Sequence, residues 1–135
     1  MCGVELKHLD ISNTYISGAG LASLRGKFPN LEVLIINVCC NLRDEGLSDI
    51  VNMSRGALKH LDVSSSPFSG PVLDELQGKS TGLEKLELGW NTYLTDHGLT
   101  VILRMCGVAL KHLDLSGTNI SGAGLFFYFE ESFQT

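Results

Sequence analysis

The chain repeats itself at a fixed period. The segment LKHLDISNTYISGAGL at residues 6–21 returns as LKHLDLSGTNISGAGL at residues 110–125. A looser copy, LKHLDVSSSPFSGPVL, begins at Leu58, so the three copies start 52 residues apart. A fixed period is typical of arrays in which each copy packs against its neighbours. Such an array presents a surface rather than a reaction centre, and the sequence therefore indicates a binding role without identifying the partner.

A related unit lies between each pair of copies, which gives five repeats that all begin L-x-x-L-x followed by leucine, isoleucine or valine. The first leucines are 25, 27, 25 and 27 residues apart, and the first, fourth and sixth positions are aliphatic in every repeat. These columns are Leu6, Leu31, Leu58, Leu83 and Leu110; Leu9, Leu34, Leu61, Leu86 and Leu113; and Ile11, Ile36, Val63, Leu88 and Leu115. Alternating apolar residues face one side of a strand, and only stacked strands bury that side. The columns therefore predict a parallel sheet.

Two further features predict how each strand ends and how the chain leads from one strand back to the start of the next. Position nine is small or polar in every repeat, so its side chain is expected to satisfy backbone groups where the strand turns away. The return segments place a capping residue before apolar residues at helical spacing, which predicts helices. Position nine is Thr14, Cys39, Ser66, Asn91 and Thr118, and the predicted caps are Ser17, Asp44, Ser69 and Thr95.

These residues resemble the leucine-rich repeat family, over residues 1–125. The second and fourth repeats, LxxLxIxxCCNLRDEGL and LxxLxLGWNTYLTDHGL, resemble the cysteine-containing subtype of F-box and ribonuclease-inhibitor-like proteins. Cys39 matches the first cysteine of that subtype and Cys106 lies close to the second, whereas Asn91 departs from it. The resemblance implies an α/β right-handed solenoid of repeats of 25–27 residues, with a parallel sheet on the concave side and helices on the convex side.

The two ends of the array are expected to lack dedicated caps. MCGV at residues 1–4 matches residues 105–108, so the chain begins within a repeat. Residues 126–135, FFYFEESFQT, leave the pattern and are either a makeshift aromatic cap or an altered end. Solenoids need capped ends for solubility, and open sheet edges pair with other chains. We therefore expect a fragment of a longer array that is prone to end-to-end self-association.

Composition excludes several classes of protein. Hydrophobic residues make up 44% of the chain and charged residues 19%, as in an ordinary globular domain. The net charge of -5 does not favour nucleic acid or an anionic membrane. No apolar run approaches the roughly 18 residues of a membrane span, and no signal peptide is visible. We expect four reduced cysteines, Cys2, Cys39, Cys40 and Cys106, and a cytoplasmic or nuclear location.

The partner is expected to bind residues that face solvent beside the fourth-position leucines. Most are charged or histidine, but the second and fourth repeats carry apolar residues there or at the strand end, including the single tryptophan. The predicted partner-binding residues are Trp90, Val33, Ile35, Val38, His60, Asp62, Lys85 and Glu87. Tryptophan is over-represented at binding hot spots. The alternative interpretation is that Trp90 folds over the edge of the neighbouring repeat.

Position two alternates in charge, as Lys7, Glu32, Lys59, Glu84 and Lys111, which predicts a ladder of ion pairs that sets the register of the strands. Three His-x-Asp units raise the question of a metal site. Because they occupy alternate strands, equivalent histidines are expected to lie about 10 Å apart, too far to share an ion. No catalytic or cofactor-binding motif is present, and we expect no enzyme activity and no cofactor.

The sequence thus predicts a non-catalytic scaffold that binds another protein through its concave sheet and the rim of that sheet. The resemblance to F-box proteins implies substrate recognition for a ubiquitin ligase, a role that requires an F-box outside these 135 residues. One alternative is a fragment of an extracellular or immune-type recognition receptor built on the same repeats. Another is a truncated array with no independent role.

Overall fold

Five short parallel strands form one sheet in the order of the chain. The computed structural model describes residues 5–24, 26–38, 57–67, 82–106 and 109–121. The strands are β1 (His8–Asp10), β2 (Val33–Ile35), β3 (His60–Asp62), β4 (Lys85–Glu87) and β5 (His112–Asp114). Helix α1 (Gly18–Ala22) follows β1, and helix α2 (Asp96–Cys106) follows β4. The architecture is that of a solenoid, as the repeats predict.

The strands pair without offset. Each fourth-position leucine lies opposite the next one, so Leu34 aligns with Leu61 and Leu61 with Leu86. The ladder also continues beyond the strands: the Trp90 N–H donates to the Ser116 carbonyl at 2.6 Å. The leucine occupies the same position in every repeat, so the strands pair in the same register throughout. A slip of one residue would turn the whole apolar column of a strand toward solvent.

The fourth-position leucines form the centre of the core. Leu34, Leu61 and Leu86 are 0%, 2% and 2% exposed, and the first- and sixth-position residues of the same repeats are also buried. Leu9 and Leu113 are only half-buried, since β1 and β5 lie at the two edges of the sheet. The predicted inward column is therefore confirmed.

The helices begin where the capping residues predict. The Ser17 hydroxyl accepts a hydrogen bond from the Gly20 N–H at 3.3 Å, and the Thr95 hydroxyl accepts one from the Gly98 N–H at 3.0 Å. Both helices place leucines in the core, Leu21 from α1 and Leu99 and Leu103 from α2. The predicted caps Asp44 and Ser69 lie outside the described residues. The convex placement of a helix in every repeat remains a prediction.

Position nine satisfies backbone groups in the four repeats where the structure describes it, as predicted; Cys39 lies outside the described residues. Asn91 is fully buried; its carbonyl oxygen accepts from the Ser66 N–H at 2.9 Å. Its amide donates to the Val63 carbonyl at 3.1 Å and to the Leu88 carbonyl at 2.7 Å. The asparagine that departs from the cysteine pattern thus joins the third repeat to the fourth. Thr14 and Thr118 make one of these bonds, within their own repeat: each hydroxyl donates to the carbonyl three residues earlier, as the Asn91 amide does to Leu88.

A second polar contact joins the last two repeats. Asp96, the first residue of α2, accepts hydrogen bonds from the Ser121 N–H, at 2.8 Å, and from the Ser121 hydroxyl. These bonds lower the pKa of Asp96, the side-chain bond having the larger effect. Asn119 adds a bond from its amide to the Thr92 carbonyl at 2.9 Å. The fifth repeat is therefore held by side chains as well as by strand pairing.

Candidate interaction surface

The side of the sheet opposite the core leucines is lined by the third and fifth residues of each repeat, because side chains alternate along a strand. We call this side the open sheet face. Its residues are His8, Asp10, Val33, Ile35, His60, Asp62, Lys85, Glu87, His112 and Asp114, all half-buried or exposed. Strand pairing places Val33, His60 and Lys85 in one row and Ile35, Asp62 and Glu87 in the next. Six of the eight predicted partner-binding residues are therefore neighbours on β2, β3 and β4.

A hydrogen bond and an ion pair order the centre of the open sheet face. Glu87 contacts His60, with Nε2 and Oε2 at 2.8 Å, and Lys85, with Nζ and Oε1 at 3.9 Å. The His60 contact crosses from β3 to β4, whereas the Lys85 contact lies within β4. Partly exposed pairs of this kind contribute about 0–1 kcal/mol each to stability. Their main effect is to fix the positions of three polar groups that a partner would meet.

Carboxylates at the strand ends receive hydrogen bonds from serines two residues later. Asp114 Oδ1 accepts the Ser116 N–H at 2.9 Å and the Ser116 hydroxyl at 2.6 Å. Asp10 accepts the Ser12 N–H at 3.0 Å in the same arrangement. These serine bonds, from the side chain first and then the backbone, lower the pKa of both Asp10 and Asp114. The two carboxylates are therefore held in their ionised form.

The predicted charge ladder at position two is confirmed at Glu84. Its Oε1 lies 2.8 Å from the Lys111 Nζ. The Lys111 hydrogen bond lowers the pKa of Glu84 most, followed by the charge of Lys111, while the charge of Lys59 lowers it less. The same contact raises the pKa of Lys111. Glu84 thus interacts with lysines of both neighbouring repeats, as alternating charge predicts.

Position eight has left-handed backbone in all five repeats, which the sequence analysis did not predict. We call this column the rim: Asn13 (φ 59°), Val38 (φ 58°), Ser65 (φ 58°), Trp90 (φ 61°) and Gly117 (φ 68°). Asparagine and glycine adopt this conformation readily, and their presence in the column was the signal that would have revealed it. Valine and tryptophan adopt it rarely, because bulky or branched side chains crowd the backbone there.

Trp90 both packs on the next repeat and remains accessible. A Cβ placed on Gly117 would lie 2.3 Å from Trp90 Cε3 and 2.4 Å from Cδ2, so the indole ring lies directly over that glycine. Yet Trp90 is 65% exposed, and Val38 is 45% exposed. The interpretation that Trp90 folds over the neighbouring repeat is therefore confirmed, and partner binding through the exposed part of its ring stays a prediction. Tyr93, which the sequence analysis missed, is a further exposed aromatic residue of the fourth repeat.

The predicted apolar residues do not form a continuous strip. Val33, Ile35 and Val38 belong to the second repeat, and Trp90 belongs to the fourth. The third repeat separates them with polar residues, and two strand spacings amount to about 10 Å. The ring of Trp90 also leans away from Val38, toward the fifth repeat. The strip is thus divided into one apolar region on the second repeat and another around Trp90.

The histidines and cysteines were the remaining candidates for chemistry. His8, His60 and His112 lie on β1, β3 and β5, which are never adjacent. Within the ranges that the structure describes, no three histidine, cysteine or acidic side chains are grouped to hold a metal ion. Cys106 is the last residue of α2, while Cys2, Cys39, Cys40 and the tail at 126–135 lie outside those ranges. No helix in the described part is long and apolar enough to cross a bilayer.

Comparisons with known proteins agree with this architecture. A family model described as Leucine Rich repeat matches residues 79–103 and 110–127. The chain is also 35% identical over 88 residues to the BTB/POZ domain-containing protein FBL11 of Arabidopsis thaliana. That match covers 65% of this chain but only 8% of the relative. The chain therefore spans a small part of the length of that protein.

Proposed function

Because this chain belongs to the leucine-rich repeat proteins, we propose that it docks another protein on the open sheet face and the rim. The interaction involves β2, β3 and β4 together with Val38 and Trp90. The role is that of a scaffold: the side chains of this surface position and recognise a partner.

The observation that carries this proposal is the exposure of two apolar side chains on the rim. Left-handed backbone is common to all five repeats, but Val38 and Trp90 place apolar side chains there, where the other repeats carry asparagine, serine or glycine. Val38 is 45% exposed, and Trp90 is 65% exposed even though its ring packs on Gly117. Exposed apolar side chains rimmed by polar residues are typical of a surface that a partner covers.

Polar groups beside these two residues supply specificity. The fixed cluster offers both signs of charge on β4, from Lys85 and Glu87, and the imidazole of His60 beside them on β3. Exposed charges of this kind govern the rate and selectivity of association more than its affinity. Trp90 is expected to supply the larger share of affinity, since tryptophan truncation at hot spots costs at least about 2 kcal/mol of binding free energy.

We further propose that the partner is a substrate protein presented to a ubiquitin ligase, in the cytoplasm or nucleus. The support is the resemblance of the second and fourth repeats to the repeats of F-box proteins, in which Cys39 occupies the first cysteine position. This role requires a ligase-binding domain outside the repeats. Such a domain would belong to a longer protein or to a second subunit.

The test begins with capture of binding proteins from native extract by the tagged chain, followed by affinity measurement with the purified partner. Trp90→Ala is expected to weaken binding by about 30-fold or more, the equivalent of about 2 kcal/mol. Tyr15→Ala removes another exposed ring, on the first repeat, and is the matched control. Hydrogen–deuterium exchange should show protection at the ends of β2 to β4. Protection confined to α2, or unchanged affinity of a folded Trp90→Ala variant, would contradict the proposal.

A further inference from the structure

Two equivalent aspartates of the open sheet face differ in one hydrogen bond. Asp62 Oδ1 accepts from Ser64, and its Oδ2 accepts from the Asn37 side-chain amide of the preceding repeat at 2.9 Å. Asp114 Oδ1 accepts from Ser116 in the same way. Among the described residues, however, none donates to Asp114 Oδ2. The lateral donor is missing in the fourth repeat.

The missing donor is explained by Gly89, which occupies in the fourth repeat the position of Asn37 in the second. A Cβ on Gly89 would lie 3.6 Å from Asp114 Oδ2 and 3.3 Å from the Ser116 carbonyl oxygen. In the second repeat the side chain at this position, Asn37, gives its amide to Asp62. Gly89 is itself buried and has no side chain, so the fourth repeat gives Asp114 Oδ2 no equivalent donor, and a donor from another molecule can take that role.

Trp90 follows Gly89 directly in the chain and contacts the same part of the fifth repeat. Its backbone N–H bonds to the Ser116 carbonyl, and its ring lies on Gly117, two and three residues after Asp114. One carboxylate and one aromatic ring thus both lie at the junction of the fourth and fifth repeats. The carboxylate attracts a cation and accepts its N–H groups, and the ring attracts the same cation through its π face.

We propose that Asp114, Gly89 and Trp90 form a site for the guanidinium group of an arginine on the partner protein, a proposal that rests on the function proposed above. The guanidinium donates an N–H to Asp114 Oδ2, replacing the amide that Asn37 gives to Asp62. Its plane stacks on the accessible part of the Trp90 ring. Gly89 contributes by leaving Asp114 Oδ2 without a side-chain donor from the fourth repeat.

Charge and shape favour arginine over other occupants. Arginine combines a planar group that stacks on aromatic rings with several N–H donors, whereas the lysine ammonium is a point charge. The net charge of -5 also favours a cationic partner. A second copy stacked in register on β5 fits poorly, because Lys111 would lie beside Lys7 and Asp114 beside Asp10. Like charges directly opposite on paired strands are destabilising.

The first experiment uses a short peptide, acetyl-Gly-Ser-Arg-Ser-Gly-amide, and its citrulline counterpart, which keeps the shape but removes the charge. Trp90 is the only tryptophan of the chain, so its indole N–H gives a single NMR resonance to follow. The arginine peptide should shift this resonance saturably, with a Kd of about 1 mM, equivalent to about 4 kcal/mol. The citrulline peptide should bind at least about tenfold more weakly, a difference of about 1.4 kcal/mol. Equal Kd values for the two peptides would overturn the proposal.

Two variants test the arginine site independently of the proposal that the chain docks a partner protein. Asp114→Asn should weaken the arginine peptide at least tenfold, whereas Asp10→Asn, an equal charge change in the same column on β1, should leave its Kd unchanged. Gly89→Asn should prevent binding by supplying an internal donor, with the fold verified by far-UV circular dichroism. If both Asp114→Asn and Gly89→Asn bind the peptide like the wild type, the arginine site is wrong. The proposed docking function would then still be judged by Trp90→Ala and hydrogen exchange with the purified partner.

Discussion

The indole ring of Trp90 lies over Gly117 of the following repeat, so closely that any side chain at residue 117 would collide with it. A Cβ there would meet three ring atoms between 2.3 and 2.7 Å away. Both residues belong to the rim, and both have left-handed backbone. The smallest residue of the column thus accommodates the largest, and the pair couples the fourth repeat to the fifth.

Gly117→Ala is expected to destabilise the fold by about 1–2 kcal/mol through left-handed backbone alone, and further by displacing the Trp90 ring. In the Trp90→Ala background the ring contribution disappears. Urea unfolding of the single and double variants should therefore show a coupling free energy of at least about 0.5 kcal/mol. Tryptophan fluorescence of Gly117→Ala should also change as the ring moves. Strictly additive free energies of unfolding would show that the contact has no energetic effect.

Val38→Asn is expected to stabilise the chain by about 1 kcal/mol, because asparagine tolerates the left-handed conformation that crowds a β-branched side chain. Asn13 already occupies the equivalent position of the first repeat. Thermal and urea unfolding measure the change. Ser65→Asn is the control, and it should alter stability by a few tenths of a kcal/mol at most, within the usual range of surface substitutions. A less stable Val38→Asn variant would mean that Val38 stabilises the rim in spite of its backbone.

Asn91→Ala is expected to lower the free energy of unfolding by about 2 kcal/mol or more, since each buried group left unpaired costs about 1–3 kcal/mol. The substitution removes the side-chain partner of the Ser66 N–H and of the Val63 carbonyl, whereas the Leu88 carbonyl keeps the backbone N–H of residue 91 at 3.4 Å. Chemical denaturation gives the magnitude. Thr118→Val is a useful comparison, because it removes one local bond at the same position of a more exposed repeat. Equal losses for the two variants would contradict the role of Asn91 between repeats.

Leu61→Asp is expected to unfold the array at neutral pH. Leu61 is 2% exposed on the central strand, and an unpaired buried charge costs far more than the total stability of a small domain. Loss of the cooperative melting transition in circular dichroism is the readout. The control is Asp62→Leu, the reverse substitution at the next residue, which lies on the open sheet face. This variant should keep the cooperative transition. A folded Leu61→Asp variant would mean that the fourth-position column does not face the core.

Acid should destabilise the chain. The pKa of Asp10, Glu84, Asp96 and Asp114 is lower in the folded state than the ordinary values of 3.8 for aspartate and 4.5 for glutamate. The folded state therefore binds protons less readily than the unfolded state. Their stabilising effect is complete above those ordinary values and disappears as the pH falls through the folded pKa values. The thermal midpoint should thus fall between pH 5 and pH 2, roughly the range over which such carboxylates lose their effect.

Asp96→Asn is the diagnostic variant for this acid dependence. It removes the ionisable group that accepts both Ser121 bonds, so its thermal midpoint should change less with acid than that of the wild type. A thermal midpoint that stays level or rises on acidification of the wild type would contradict the predicted direction.

The sequence by itself determined the strands, their order and their register. Leu34, Leu61 and Leu86 recur at fixed positions of similar repeats, and an apolar column can be buried only if successive strands align. The caps of both described helices were equally predictable, because Ser17 and Thr95 act on N–H groups three residues later. Six of the residues predicted for the surface followed from alternation along the strand.

Only the tertiary structure decided how those residues are used. The bonds of Asn91 to the third repeat, the ring of Trp90 on Gly117 and the unequal hydrogen bonding of Asp62 and Asp114 all join neighbouring repeats. Parallel pairing of the strands brings residues about 25 positions apart in the sequence into contact. Which contacts they make then depends on their side-chain rotamers and backbone angles. Periodicity shows which residues share a column, but neighbouring members of a column differ in size and charge. Their packing against one another determines which side chain is left for a partner.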